Sequence, residues 1–183
     1  PPVNLQPTPV WTFDGQRDLG RLGWDVSTAG DVNNDGYDDV ILGAPNYTNG
    51  QSFEGAALVF FGLDSALLGD APPWFGESNQ GSAAYGVSVA GAGDMNGDGY
   101  DEVIVGANTY DNGDLEEGAA FLYYGSADGP SEQPDVTYEI DQQDARFGTS
   151  VAAAGDVQGD GYADLIVGAE FFTKTPPLEE EGA

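Results

Sequence analysis

The sequence predicts an all-β protein built from a repeated unit of four short strands. Three observations support this fold class. One seven-residue acidic motif occurs three times, at intervals of 63 and 62 residues. A stretch of small residues precedes each copy, and a short apolar run rich in Val and Ile follows it. Runs of this length, bounded by Gly and Asp, are typical of buried strands rather than of helices.

Each repeat contains four predicted strands. The first, rich in small residues, covers 23–30, 86–93 and 148–155, and the second, apolar strand covers 40–44, 103–107 and 165–169. A third covers 56–61 and 119–124, and a more polar fourth lies near 10–13, 73–75 and 136–140. Four-stranded antiparallel units with small residues in the first strand are typical of propeller blades that taper toward an axis. A β-sandwich is the alternative, but it does not predict the same loop in every unit.

The strand order divides the chain into a Pro-rich lead-in, residues 1–9, and three repeats. The repeats cover about 10–72, 73–135 and 136–183, and the last is incomplete. The chain begins with a lone fourth strand, completes two units of four, and then supplies two strands of another. An apolar strand without a partner recruits another chain or aggregates. We therefore expect a longer polypeptide, or a second copy that supplies a strand beside residues 165–167.

Composition excludes several classes of function. The formal net charge is −28, from 32 acidic and four basic residues, which disfavours nucleic acid and anionic membranes as partners. The chain has no Cys and no His, so thiolate sites, the usual zinc ligands and the commonest general base are missing. The sequence contains no run of about 18 apolar residues, so it does not predict insertion into a membrane. Cations are the expected partners.

The repeated motif has the pattern of a calcium loop. Oxygen-bearing side chains stand at positions 1, 3, 5 and 9, a glycine at position 6 permits a sharp turn, and position 7 offers a backbone carbonyl. Three carboxylates so close together repel one another by several kcal/mol without a divalent ion. We therefore expect about three Ca²⁺ per chain. The predicted ligands are Asp31, Asn33, Asp35, Tyr37 and Asp39; Asp94, Asn96, Asp98, Tyr100 and Glu102; and Asp156, Gln158, Asp160, Tyr162 and Asp164.

Two other structures could contain such a motif. A single copy is compatible with a plain Asx-rich turn, but three copies in register are not. An EF-hand requires a bidentate Glu at position 12 and a helix after it. Position 12 is occupied here by Leu42, Val105 and Val167, within predicted strands.

These residues resemble the FG-GAP repeats of integrin alpha-chain propellers and their bacterial relatives. The name-giving residues correspond to Leu22-Gly23, Tyr85-Gly86 and Phe147-Gly148, followed by Gly43-Ala44-Pro45, Gly106-Ala107-Asn108 and Gly168-Ala169-Glu170. The resemblance covers residues 10–183. It implies a seven-bladed propeller of the integrin alpha N-terminal type, with calcium in the hairpin between strands one and two and ligand-binding loops on the opposite face. Glu102 and Gln158 depart from it, since each is one methylene longer than usual.

The expected function follows from the repeat and the resemblance. We expect a secreted or cell-surface adhesion, recognition or surface-assembly module that binds a protein or glycan ligand and is not an enzyme. One alternative is a glycosidase-like hydrolase with a pair of acidic residues. Another is a self-assembling subunit of a surface fibre, whose open blades are completed by neighbouring copies.

Overall fold

The structure is a computed structural model that describes residues 11–13, 20–64, 68, 72 and 74–174. These residues form strands and loops and no helix, so the described part of the chain contains no helix that could cross a membrane. The strands are β1 Val26–Gly30, β2 Asp39–Ala44, β3 Ala56–Phe60, β4 Trp74–Glu77, β5 Tyr85–Gly93, β6 Glu102–Ala107, β7 Ala119–Tyr123, β8 Val136–Glu139, β9 Phe147–Gly155 and β10 Asp164–Ala169.

The strands form three antiparallel sheets that follow the order of the chain. Strands β1 to β4 form the first four-stranded sheet, β5 to β8 form the second, and β9 pairs with β10. We call these sheets blade 1, blade 2 and blade 3. The prediction of an all-β chain with two complete blades and two strands of a third is confirmed. Among the described residues β10 pairs only with β9, and Ile166 in β10 is 61% exposed.

The blades stack face to face along an apolar core. Val59 and Trp74 of blade 1 and Val103 of blade 2 belong to one buried cluster. The first strands of adjacent blades lie side by side, and a side chain added at Gly91 would meet the backbone of Ala29 at 2.8 Å. The small residues of the first strands therefore permit the close approach that the taper requires.

Residues 11–13 pack against blade 1 as the fourth strand of blade 1 packs against blade 2. Trp11 packs edge-on against Phe60, with ring centroids 5.1 Å apart and an angle of 71°. Trp74 of β4 packs against Tyr123 of blade 2 in the same way, at 5.0 Å and 70°. Residues 11–13 nevertheless form no strand, because no described strand lies beside them to share hydrogen bonds. The predicted strand at 10–13 is therefore wrong for residues 11–13, and Val10 lies outside the described residues.

Candidate metal sites

The three acidic loops connect the first and second strands of their blades. Loop 1 is residues 31–39, loop 2 is residues 94–102 and loop 3 is residues 156–164, and each ends on the first residue of the second strand. The predicted position of the motif in the blade hairpin is confirmed. All three loops lie at the edge of the blades that also carries the connections between third and fourth strands.

Each loop coils around the carboxylate of its first aspartate. The glycine at position 6 has a φ of +93° in loop 1, +92° in loop 2 and +94° in loop 3, a conformation that disfavours a side chain. Its N–H donates to the first aspartate at 2.9, 3.0 and 2.9 Å in the three loops. The N–H of position 7 donates to the aspartate at position 5, at 3.0 Å in every loop. These bonds hold the acidic side chains on the inside of the turn.

Loop 2 brings three of its predicted ligands closest together. One carboxylate oxygen from each of Asp94, Asp98 and Glu102 lies within 4.8 Å of the other two. Among the described residues this is the one group of three carboxylates that meets this spacing. The corresponding acids of loops 1 and 3 share the fold of the turn but lie further apart.

The carboxylate at position 9 is fully buried in loops 1 and 2. Asp39 accepts hydrogen bonds from the N–H of Val32 at 3.0 Å and from the N–H of Gly62, which follows β3, at 2.8 Å. Burial raises the pKa of Asp39 to about 6, and the charges of Asp35 and Asp31 add to the shift. These backbone bonds act in the opposite direction but do not outweigh burial.

Glu102 has the same environment in blade 2. It accepts a hydrogen bond from the N–H of Met95 at 2.5 Å and another from the backbone of Gly125, which follows β7. Burial raises the pKa of Glu102 to about 7, and the charges of Asp98 and Asp94 raise it further. The Glu102 carboxylate is thus held in place before an ion arrives. A bound cation would stabilise its ionised form more than that of an exposed carboxylate.

Loop 3 differs at two of its ligands. Asp164 is only partly buried and accepts from the N–H of Val157 at 2.7 Å. The side-chain nitrogen of Gln158 donates to Asp164 at 3.1 Å, whereas the side-chain oxygens of Asn33 and Asn96 accept from position 5 of their loops at 3.0 and 2.8 Å. Asn96 also donates to position 9, to Glu102 at 3.4 Å, so loop 3 differs in that no described hydrogen bond from position 5 reaches the amide oxygen of Gln158.

The donor set of the loops fits calcium. Every predicted side-chain ligand offers a carboxylate or amide oxygen, and the sequence has no His or Cys that could add an imidazole or thiolate ligand. Calcium takes six to eight such oxygens in flexible geometry. Asp156 also shows how strongly the turn favours negative charge: hydrogen bonds from the backbone, that of Gly161 foremost, lower its pKa although it is exposed.

The loops at the opposite edge are joined from blade to blade by glutamine side chains. Gln80 donates to the carbonyl of Asp111 at 2.9 Å and accepts from its N–H at 2.7 Å. Gln142 makes the same pair of bonds to Thr173, at 2.9 and 2.7 Å. The side chain of one blade thus fixes the backbone of the next loop.

This opposite edge exposes large apolar side chains. Four of them are about half exposed or more: Phe53, Leu115, Phe171 and Phe172. The tyrosines of these loops instead pack beneath them, Tyr47 against Phe75 at 5.4 Å and Tyr110 against Phe121 at 5.2 Å. These two tyrosines therefore contribute to the packing of their own blades.

Two acidic residues of functional interest were missed by the sequence analysis. Glu54 and Glu117 are fully buried, and one oxygen of each accepts from the backbone N–H of Asn49 and Asn112, respectively. The other oxygen of each has no hydrogen-bond partner among the residues that the structure describes. The recurrence of Glu-Gly-Ala before the third strand was the signal that could have identified them. Because both are buried, neither offers a carboxylate to a glycosidase substrate.

Comparison with known proteins identifies the repeat. The family model described as FG-GAP repeat matches residues 22–60, 85–123 and 147–182. The chain is 30% identical over 167 residues to integrin alpha-5 of Xenopus laevis, and 38% identical over 156 residues to integrin alpha pat-2 of Caenorhabditis briggsae. It is also 34% identical over 162 residues to the phosphatidylinositol-glycan-specific phospholipase D of Mus musculus.

These matches cover most of this chain and a small part of each relative. They include 87%, 76% and 82% of this chain, but only 16%, 12% and 18% of the three relatives. The chain thus spans less than a fifth of the proteins that it resembles. Integrin alpha chains and a phospholipase D share this region, so the shared region alone does not define an activity. Each matched repeat covers the first strand of one blade and the strands that follow it, up to the third strand in blades 1 and 2, and the chain belongs to the FG-GAP repeat family.

Proposed function

We propose that this chain is the calcium-stabilised part of a propeller of about seven blades that recognises a ligand outside the cell. Loops 1 to 3 each bind one Ca²⁺, which rigidifies the hairpin of its blade. The opposite edge binds a protein or glycan ligand. The observation that carries the calcium assignment is the convergence of Asp94, Asp98 and Glu102 within 4.8 Å in loop 2.

The calcium ions act on stability rather than on chemistry. An ion that binds only the folded loop stabilises the protein by mass action, by roughly 2.7 kcal/mol at a free concentration one hundred times the Kd. The burial of Asp39 and Glu102 supports this role, since their negative charges are costly in the absence of a cation.

Calorimetry on calcium-stripped protein tests this proposal. We expect about three ions per chain, and about two for Asp98→Asn. Asp128→Asn is the matched control, because Asp128 is exposed and lies outside the loops. A stoichiometry of zero in the unmodified chain would contradict the calcium assignment.

The exposed apolar residues of the opposite edge favour a protein ligand. The carbonyls of Phe53 and Leu115 accept hydrogen bonds from Ala84 and Asp144, which lie just before the first strand of the next blade. Exposed apolar groups on a rigid scaffold are typical of protein-binding surfaces. We propose a location at the cell surface for this chain because its relatives include integrin alpha chains, which are cell-surface receptors. Immobilised chain, presented to a panel of extracellular-matrix proteins and to a glycan array, should capture a protein in calcium, and the double variant Phe53→Ser/Leu115→Ser should lose it. Capture that the double variant retains would place the ligand site elsewhere.

We also propose that these repeats have no catalytic role of their own. The phospholipase D relative shares the matched region with integrin alpha chains, and that region covers only 18% of it. Hydrolysis of glycosidic or phosphodiester substrates by the purified chain would contradict this proposal, provided that Asp98→Asn abolished the activity.

A further inference from the structure

We propose that Asp101 couples the calcium sites of loops 1 and 2, so that an ion in one loop strengthens binding in the other, whereas loops 2 and 3 bind independently. This inference rests on the proposed calcium function. Asp101 is not one of the predicted ligands. It occupies position 8 of loop 2, between Tyr100 and Glu102.

Asp101 holds the first residue of the neighbouring loop at both of its backbone groups. The N–H of Asp31 donates to Asp101 Oδ2 at 2.9 Å, and the N–H of Asp101 donates to the carbonyl of Asp31 at 3.1 Å. Asp31 is the residue whose carboxylate organises loop 1. One residue of blade 2 therefore sets the backbone position of a ligand in blade 1.

Close packing leaves little freedom at this junction. A side chain added at Gly30 would place its Cβ 2.0 Å from Asp101 Oδ2, so the carboxylate occupies the space that a side chain would fill. The N–H of Ser126, also in blade 2, donates to the carbonyl of the buried Val32 at 3.1 Å. Loop 1 is thus attached to blade 2 at two successive residues.

The contact between loop 2 and loop 3 provides an internal control. Ala163 of loop 3 stands where Asp101 stands in loop 2, and it has no side-chain acceptor. Among the described residues no hydrogen bond joins the backbone of Asp94 to blade 3. A Cβ added at Gly93 would lie 3.2 Å from Ala163 Cβ, so the two chains approach in the same manner. The contact surface is preserved but the paired hydrogen bonds are absent.

The coupling follows from the position of Asp101 between two ligands of loop 2. An ion bound through the carbonyl of Tyr100 orders one neighbour of Asp101, whose other neighbour, Glu102, is already fixed by burial. Asp101 in turn orders Asp31 before loop 1 binds its own ion. The second ion then finds a loop that has already lost part of its conformational freedom. Coupling is reciprocal, so each ion strengthens the other by the same factor, and at least about fivefold is typical of such systems.

Amide resonances distinguish the three sites in an NMR titration with calcium. The N–H groups of Gly36, Gly99 and Gly161 each donate to the first aspartate of their own loop, so each reports on its own site. We expect Asp98→Asn, which removes the loop 2 site, to weaken binding in loop 1 about fivefold. Asp160→Asn, which removes the loop 3 site, should leave loops 1 and 2 unchanged.

Substitutions at Asp101 and Ala163 test the contact itself. In the Asp101→Ala background, Asp98→Asn should no longer affect loop 1, whereas Asp101→Asn, which keeps an acceptor for the N–H of Asp31, should preserve the coupling. Ala163→Asp should introduce coupling between loops 2 and 3. Thermal melts in calcium show whether each variant is folded, and Ala163→Asp tests the proposal even if Asp101→Ala does not fold.

The outcomes separate this inference from the calcium assignment. Three ions that bind without mutual influence in the unmodified chain would overturn the coupling and leave the calcium function intact. Coupling that persists in folded Asp101→Ala would likewise overturn the role of Asp101. An unmodified chain that binds no calcium would overturn both.

Discussion

Loops 1 and 2 differ from loop 3 in how the carboxylate at position 9 is held. In loops 1 and 2 this carboxylate is fully buried and accepts a hydrogen bond from a glycine just beyond the third strand, Gly62 or Gly125. In loop 3 Asp164 is partly exposed, and its partners among the described residues lie within loop 3 itself. The described part of blade 3 has no third strand, so only loops 1 and 2 have one beside them that can bury this carboxylate.

The comparison shows which part of a calcium loop is local. The turn at the glycine and the hydrogen bonds to the first aspartate are the same in all three loops. Positions 1 to 7 of the motif are therefore sufficient to form this turn. The position of the ninth residue depends on a backbone group 23 residues away in blade 1. A four-stranded blade therefore buries and fixes the last acidic ligand of its own loop.

Alanine at position 9 should produce the largest difference between the loops. Asp39→Ala leaves the N–H groups of Val32 and Gly62 unpaired in the core, so we expect a loss of about 3 kcal/mol in the free energy of unfolding. Asp164→Ala should cost about 1 kcal/mol, since water can replace its partners. Urea denaturation of the calcium-stripped protein at pH 5 measures both, because no loss of a bound ion then adds to either value and Asp39 is mostly protonated.

Asp38→Ala is the matched control for this comparison. Asp38 is the exposed neighbour of Asp39, and its replacement should change the free energy of unfolding by less than about 0.5 kcal/mol. Equal losses for Asp39→Ala and Asp164→Ala would show that burial by the third strand does not distinguish the loops.

The buried acids of loops 1 and 2 should make the effect of calcium depend on pH. In the unfolded chain Asp and Glu titrate near about 4, but the pKa of Asp39 is raised to about 6 and that of Glu102 to about 7. Between these values the unfolded state has lost protons that the calcium-free folded state retains. These two groups therefore lower the free energy of unfolding of the calcium-free protein as pH rises from about 4 to about 7.

Calcium reverses this loss because it binds the ionised carboxylates. The difference in Tm between calcium-loaded and calcium-stripped protein should therefore widen from pH 5 to pH 7.5. Thermal melts at several pH values measure it, and the double variant Asp39→Asn/Glu102→Gln should flatten the dependence. A difference that stays constant in the unmodified protein would contradict the role of these two acids.

The amide at position 3 should have the smallest effect. Gln158→Asn restores the shorter side chain, whose oxygen can accept from position 5, and should tighten the loop 3 site about fivefold, or about 1 kcal/mol. The reciprocal change Asn96→Gln should weaken the loop 2 site by a similar factor. Calorimetric titration of the two variants checks both predictions. An unchanged affinity in each would show that the length of the side chain at position 3 does not affect calcium binding.

Much of this architecture could be predicted from the sequence because it is local and repeated. The strand order, the position of the acidic loops and the turn at Gly36, Gly99 and Gly161 follow from one motif and its period. The role of Asp101 could not be predicted, since position 8 varies among the repeats and its partner lies 70 residues away.

Burial of acidic side chains was also beyond the sequence. Glu54 and Glu117 stand in loops, where an acid is normally exposed, and only the stacking of adjacent blades removes them from water. The strand predicted at residues 10–13 failed for a related reason. Trp11 has the packing of a fourth-strand residue, but hydrogen bonding needs a neighbouring strand that the local pattern cannot supply.

An anomalous difference map from crystals grown with calcium tests the central claim most directly. The account predicts one peak in each of the three loops. Each peak should lie about 2.3 to 2.6 Å from oxygens at positions 1, 3, 5, 7 and 9 of its loop. Loops without peaks in crystals that contain calcium, or peaks found only outside residues 31–39, 94–102 and 156–164, would contradict it.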